Sequence, residues 1–135
     1  DLPILSELAC RLWPDHAPDE MQADLAEIMA QNAAFFLAFA DAAPIGFAQC
    51  QLRQDYVEGT ESSPVGYLEG IYVTEGYRKQ GIARALLQAC EGWAKEQGCR
   101  EFASDCELTN LESLKFHLNV GFEEANRIIC FAKKI

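Results

Sequence analysis

A chain of 135 residues holds material for one domain, since two separate cores would each be marginal at that length. Half of the residues are apolar and 24% are charged, the balance of a folded soluble protein rather than of a disordered tail. Twenty-one Asp and Glu against eleven Lys and Arg leave a net charge of −10, which repels nucleic acid and anionic membrane and attracts cations.

In chain order, residues 2–12 place Leu5, Leu8, Ala9 and Leu12 on one helical face, and Trp13-Pro14 ends that helix. Pro18-Asp19 opens a second helix with the apolar stripe Met21, Leu25, Ile28 and Met29. The longest apolar run, Ala33 to Ala40, has eight residues. It falls far short of the roughly 20 that span a bilayer and reads as a buried strand. Phe35 to Ala40 and Ile45 to Leu52 are the two arms of a hairpin joined by Asp41-Ala42-Ala43-Pro44. A polar loop, Gln54 to Pro64, follows. Tyr67 to Val73 is the next strand, rich in β-branched and aromatic residues, and simple alternation puts Glu69 on one face with Tyr67, Ile71 and Val73.

Thr74 to Gln80 forms a turn that feeds a helix from about Gly81 to Gln97, with Ile82, Leu86, Cys90 and Trp93 as its buried stripe and Gly98 as its stop. Phe102 to Asp105 is a short strand. Thr109-x-x-Glu112 has capping-box spacing for a helix that ends at Gly121, and Phe122 to Lys134 is a final strand or hairpin. Antiparallel strands followed by strand–helix–strand units give an α/β fold: one domain over residues 1–135, a mixed, mostly antiparallel sheet with helices on both faces.

Six cysteines include no Cys-x-x-Cys pair and are accompanied by only two His, so no metal is expected. Four of them fall within helical or strand patterns as small hydrophobes, which fits a reducing, cytoplasmic compartment. No signal peptide precedes the first helix, and a start at Asp1 without Met points to residues ahead of it.

The segment richest in chemical information is Tyr77-Arg78-Lys79-Gln80-Gly81-Ile82-Ala83-Arg84. A strand ends there, a turn gathers cations and a Gly, and a helix begins with unpaired backbone N–H groups that favour an anion. Neither a Walker loop nor a Gly-x-Gly-x-x-Gly fingerprint is present. On this segment alone, a phosphate site and an ordinary basic turn both stand.

The chain as a whole resembles the GNAT superfamily of acetyl-CoA-dependent N-acetyltransferases. Arg78-x-x-Gly81-x-Ala83 after a strand matches the family's Arg/Gln-x-x-Gly-x-Gly/Ala, and Asn110, Ser113, Phe116 and Gly121-Phe122 match its last helix. The resemblance covers nearly the whole chain, with the family's first strand falling before Asp1. It implies acetyl-CoA as co-substrate, its pyrophosphate on Arg78, Lys79, Gln80, Gly81, Ile82 and Ala83, and its pantetheine beside Ile71, Val73 and Asn110. Narrower segments look like aminoglycoside 6′-N-acetyltransferases: Leu12-Trp13-Pro14, the loop Asp55 to Gly66, Tyr67 to Val73, and Glu101 to Asp105. That resemblance implies an antibiotic pocket lined by Trp13, Tyr56, Glu69 and Asp105, resistance as the outcome, and a homodimer paired through C-terminal strands.

The residues bear this reading independently. A polycationic sugar needs carboxylates and stacking surfaces, and Glu58, Glu61, Glu69, Asp105 and Glu107 cluster near strand ends. A Glu on a half-buried strand faces a cleft or a partner, because unpaired burial is costly. Glu69 is therefore the candidate base, assisted by Asp105, which serves equally well as a loop cap. Trp13 is either a pocket wall or a lid on the first helix. Many family members carry Tyr after the Phe116 position, and this chain has His117, which donates a proton, contacts the thiol or caps the helix end. Asn126 stands where related enzymes often carry a carboxylate. Acetylation of another amine (a polyamine or a protein N-terminus) and a non-catalytic acyl-CoA-binding module are the competing functions.

Overall fold

The computed structural model describes all 135 residues. Two helices come first, α1 (Leu2–Leu12) and α2 (Pro18–Met29). Strands β1 (Ala33–Ala40), β2 (Ala43–Arg53) and β3 (Val65–Val73) follow, then α3 (Ile82–Glu96), β4 (Phe102–Ser104) and α4 (Leu111–Asn119). The sheet order is β1-β2-β3-β4, antiparallel across the first three strands and parallel between β3 and β4. Ala40 pairs with Ala43, so the first hairpin closes on Asp41-Ala42 alone, with Asp41 at φ 56°. The turn is tighter than four residues because Ala43 and Pro44 already extend along β2.

Each face of the sheet has its own core. On one, Leu5, Leu8 and Ala9 of α1 and Met21 and Leu25 of α2 close over Phe47, which is fully buried. On the other, Leu86, Leu87 and Cys90 of α3 pack on Ala48, Cys50, Leu68 and Val73, with Phe116 and Val120 alongside. Burial on this scale contributes roughly 1.5–3 kcal/mol per large side chain. The expected stripe on α3 is therefore present, with Ile82 and Trp93 at its partly buried margin. No helix is long and apolar enough to cross a membrane.

Three expectations are corrected. Residues 33–40 are half-buried rather than buried, because β1 is the sheet's edge and Phe39 faces outward. The cap of α4 is Asn110, whose Oδ1 accepts the Ser113 N–H at 3.1 Å, rather than Thr109. Residues 122–135 form no strand or hairpin: they carry no regular structure, and Ile128, Ile129 and Phe131 are 67%, 81% and 91% exposed. A strand exists only where a neighbour supplies its ladder, and this segment has none within the chain.

All six cysteines are free. Cys50 and Cys90 are buried side by side in the α3-face core; the Cys50 thiol donates to the Ala34 carbonyl, and the bond that Cys90 gives to Cys50, together with burial, pushes the Cys90 thiol well up. Such thiols act as core hydrophobes.

Candidate active site

The site is built where the sheet opens. Strands β3 and β4 pair only through Gly66↔Phe102, Tyr67↔Ala103 and Leu68↔Ser104. Beyond Leu68, β3 continues for five residues without a neighbour on that side. The Thr74 N–H donates to the Ile45 carbonyl at 2.7 Å, and the register sets Val73 opposite Gly46. Antiparallel bonding alternates along a strand, so Tyr72 and Gly70 turn their backbone groups to β2, and Ile71 and Val73 turn theirs into the opening. The Val73 carbonyl there accepts from the Arg78 Nε at 2.8 Å.

A bulge begins at the same point. Gln49 pairs with Gly70 and Cys50 with Leu68, leaving Glu69 as the extra residue. The bulge changes the parity of β3. Leu68, Ile71 and Val73 face α3, and Tyr67 lies on the opposite face. Glu69 therefore shares Tyr67's face but not that of Ile71 and Val73, which corrects simple alternation. Gly70 faces the same way as Glu69: a Cβ on it would lie 2.7 Å from two carbons of the Trp13 ring. Trp13 thus rests directly on the bulge, and its edge packs on Phe47 at 6.0 Å between centroids.

Around Glu69 is a chain of polar contacts that sequence reasoning only partly foresaw. Its Oε1 accepts from the Arg53 Nη2 at 2.7 Å. The Arg53 guanidinium carbon lies 3.4 Å from the centroid of the Tyr67 ring, in stacking contact. The Tyr67 hydroxyl donates to Asp105 Oδ2. Burial first, then this bond, raises the Tyr67 phenol far above its ordinary value, so it remains a donor. Asp105 serves the phenol here and caps no helix. Tyr56 stands 77% exposed on the loop after β2. Glu101 fastens that loop: it accepts from the N–H groups of Glu61 and Ser62, each at 2.9 Å, and from the Ser62 hydroxyl. These bonds hold its carboxyl below the usual range. Asn126 donates to Glu58 at 3.0 Å.

On the α3 side of the opening sits His117. Its Nδ1 lies 2.7 Å from the Ser113 carbonyl, which only accepts, so Nδ1 carries a proton. Its Nε2 lies 2.7 Å from Ser104 Oγ at the end of β4. The neutral ring therefore accepts the serine hydroxyl, and the charged ring donates to it. Phe116 and Phe122 hold the ring at 5.6 and 5.1 Å between centroids. His117 lies in the last turn of α4, and its ring nitrogens bond to Ser113 and Ser104.

The turn before α3 supplies the third part. Gly81 is the N-cap at φ 81°, and no side chain caps the helix. The first intrahelical bond runs from the Ala85 N–H to the Gly81 carbonyl, so the N–H groups of Ile82, Ala83 and Arg84 precede any partner within the helix. Lys79 has φ 64°, and the Gln80 side chain donates to the Gly76 carbonyl at 3.4 Å. Arg84 instead donates to the Asn119 carbonyl at 3.2 Å and ties α3 to α4. The structure thus brings Trp13, Glu69, Asp105, Ile71, Val73, His117 and the Arg78–Ala83 turn around one split in the sheet. Asn110 is engaged in capping through Oδ1, and Tyr56 reaches outward. Arg53, Tyr67 and Ser104 were missed.

A mixed sheet that splits between two parallel strands, beside a helix with a bare N-terminus, is a binding frame for an anionic carrier that reaches through the sheet. The model of the Acetyltransferase (GNAT) family matches residues 2–122, and the chain belongs to that family. It is 43% identical to aminoglycoside N(6′)-acetyltransferase type 1 of Serratia marcescens over 95% of this chain and 89% of that protein. To the enzyme of the same name from Salmonella typhimurium it is 46% identical, over 92% of this chain and 86% of that one. Among solved structures, AAC(6′)-Iy in complex with the bisubstrate analogue CoA-S-monomethyl-acetylneamine superposes with a TM-score of 0.95 at 43% identity, covering 99% of this chain and 92% of that one.

Proposed function

We propose that this protein transfers the acetyl group of acetyl-CoA directly to the 6′ primary amine of an aminoglycoside, and so confers resistance. The single observation that carries it is the bulge at Glu69, which sets a carboxylate, a tryptophan face and Asp105 on one side of the split while the bare α3 N-terminus lies on the other. The likeness to enzymes named for this activity supports the same reading.

The residues fit acetyl-CoA. The backbone N–H groups from Gln80 to Ala83, with Arg78 and Lys79, hold the pyrophosphate, because unpaired helix N-terminal donors and the helix dipole favour an anion. Backbone groups of Ile71 and Val73 receive the pantetheine in place of the strand that is absent, with Asn110 beside it. Acetyl-CoA supplies an activated thioester whose carbonyl carbon takes the amine and whose sulfur leaves. Glu69 removes the ammonium proton, directly or through water, since a protonated amine has no lone pair to offer. A backbone N–H of Ile71 or Val73 steadies the charge that grows on the carbonyl oxygen. Charged His117 passes a proton through the Ser104 hydroxyl to the sulfur. Trp13 and Tyr56 offer stacking surfaces for sugar rings, and Asp105 pairs a second ammonium.

The test is mass spectrometry of kanamycin or tobramycin after incubation with acetyl-CoA. One added acetyl group on the 6′ nitrogen is expected; none on any aminoglycoside, with acetyl-CoA demonstrably bound, would overturn the reading. A polyamine enzyme would instead prefer linear amines, and a sensor would acetylate nothing.

The protein is also proposed to act in the cytoplasm as a homodimer. Residues 122–135 present Ile128, Ile129 and Phe131 to solvent, and β4 is an open edge. A second copy can cover both. Light scattering at micromolar concentration should give twice the chain mass; a monomer refutes this.

A further inference from the structure

We infer that Arg53 is a displaceable counter-ion, seated on Glu69 where the acceptor's ammonium must go, and that an amine gains this carboxylate only by driving the guanidinium off it. The inference rests on the proposed role of Glu69.

Arg53 stands at the end of β2, and its Nη2 donates to Glu69 Oε1 at 2.7 Å. Its plane rests on the Tyr67 ring, 3.4 Å from guanidinium carbon to centroid. The groups facing Glu69 on this side are Arg53 from β2, Tyr67 from β3 and Asp105 after β4, while α1 contributes Trp13 against Gly70. Arg53 is the one cation among them. A guanidinium keeps its proton at any working pH, so it can neutralise Glu69 and hydrogen-bond to it but gives it no proton to remove. While Arg53 is seated, Oε1 is engaged and the charge that would draw an ammonium to Glu69 is neutralised. An incoming ammonium carries the same charge and does have a proton to give.

Displacement is feasible because the pair is not sealed: the Arg53 and Glu69 side chains are 38% and 22% exposed. The Tyr67 face can retain the guanidinium after it leaves the carboxylate. The arrangement also avoids an unpaired, half-buried carboxylate while no acceptor is bound.

The experiment follows Arg53 itself. Nitrogen-15 NMR of its side chain, in protein without acetyl-CoA so that no turnover occurs, should show the Nη signals shift as kanamycin is added. Unchanged signals at saturating kanamycin overturn the inference while leaving acetyl transfer intact. In kinetics at fixed ionic strength, Arg53→Leu should lower KM for kanamycin about three- to tenfold, less than a sealed charge-assisted bond would give because the pair is partly exposed. Added guanidinium chloride at low millimolar concentration should raise KM again in Arg53→Leu but not in the parent, by refilling the vacated position. Unchanged acetyl-CoA affinity reports that the variant is folded. A higher KM in a folded Arg53→Leu means that Arg53 helps hold the acceptor, and refutes the idea. If kanamycin is not acetylated by the parent protein, the functional reading fails instead, and the NMR titration still reports whether a polycation unseats Arg53.

Discussion

Glu69→Gln is expected to lower kcat by on the order of 100- to 10,000-fold, the usual cost of losing a positioned base. The substitution keeps the shape of the side chain and one oxygen that can still accept from Arg53, so the bulge and the ion-dipole contact survive. It removes the negative charge and, with it, the capacity to take a proton. Glu69 faces α1 while the bare α3 N-terminus lies beyond the other side of the split, so acetyl-CoA affinity should be unchanged. The measurement is kcat at saturating amine together with acetyl-CoA binding by calorimetry. Activity within about threefold of the parent, against that expected range, would move the base to Asp105.

Much of this site was legible in the sequence, and the parts that were not share a physical cause. The turn from Arg78 to Ala83 announces itself locally: cations, a glycine and a helix start lie within a few residues, and nothing distant is needed to form them. The stripe on α3 is equally local. The parity of β3 is different, because a bulge is a relation between two strands. Counting along Tyr67 to Val73 places Glu69 with Ile71, and only the pairing of Gln49 with Gly70 and Cys50 with Leu68 shows the inserted residue. A signal was present in Gly70, since a glycine inside a strand often marks a bulge or a close approach. Trp13 then explains why no side chain is tolerated there.

Arg53 and Tyr67 were hidden for the same reason. They lie 14 residues apart in the chain and meet only through the β2–β3 pairing, where Arg53 stands two pairs beyond Gln51↔Tyr67. The sequence around Arg53 shows a cation at a strand end, which is ordinarily a solvated one. Ser104 likewise gains meaning only when α4 sets His117 2.7 Å away. The tail is the converse case. Ile128 to Phe131 has the composition of a strand, but composition does not provide the neighbour that a strand needs.

Gly81→Asp is expected to weaken acetyl-CoA binding by at least tenfold and on the order of a hundredfold, while leaving the fold in place. Gly81 holds φ 81°, and a Cβ there meets nothing within 4 Å, so a side chain has room and points into open space ahead of α3. A left-handed backbone costs an ordinary residue about 1–2 kcal/mol, and Asp tolerates it better than most. The carboxylate also sits at a helix N-terminus, where negative charge is favoured. Stability should therefore fall little. Binding is another matter, because the new carboxylate claims the same unpaired N–H groups that the pyrophosphate requires and repels the phosphates besides. Each charged hydrogen bond lost is worth about 1.5–3 kcal/mol, or roughly ten- to a hundredfold in affinity. Gly81→Ala separates the two effects: it imposes at least as much backbone strain without charge, and should bind acetyl-CoA within a few-fold of the parent. Calorimetry on both variants decides the matter. Parent-like affinity in Gly81→Asp would place the pyrophosphate elsewhere, and an equal loss in both variants would assign the effect to the backbone of the turn rather than to an anion bound on it.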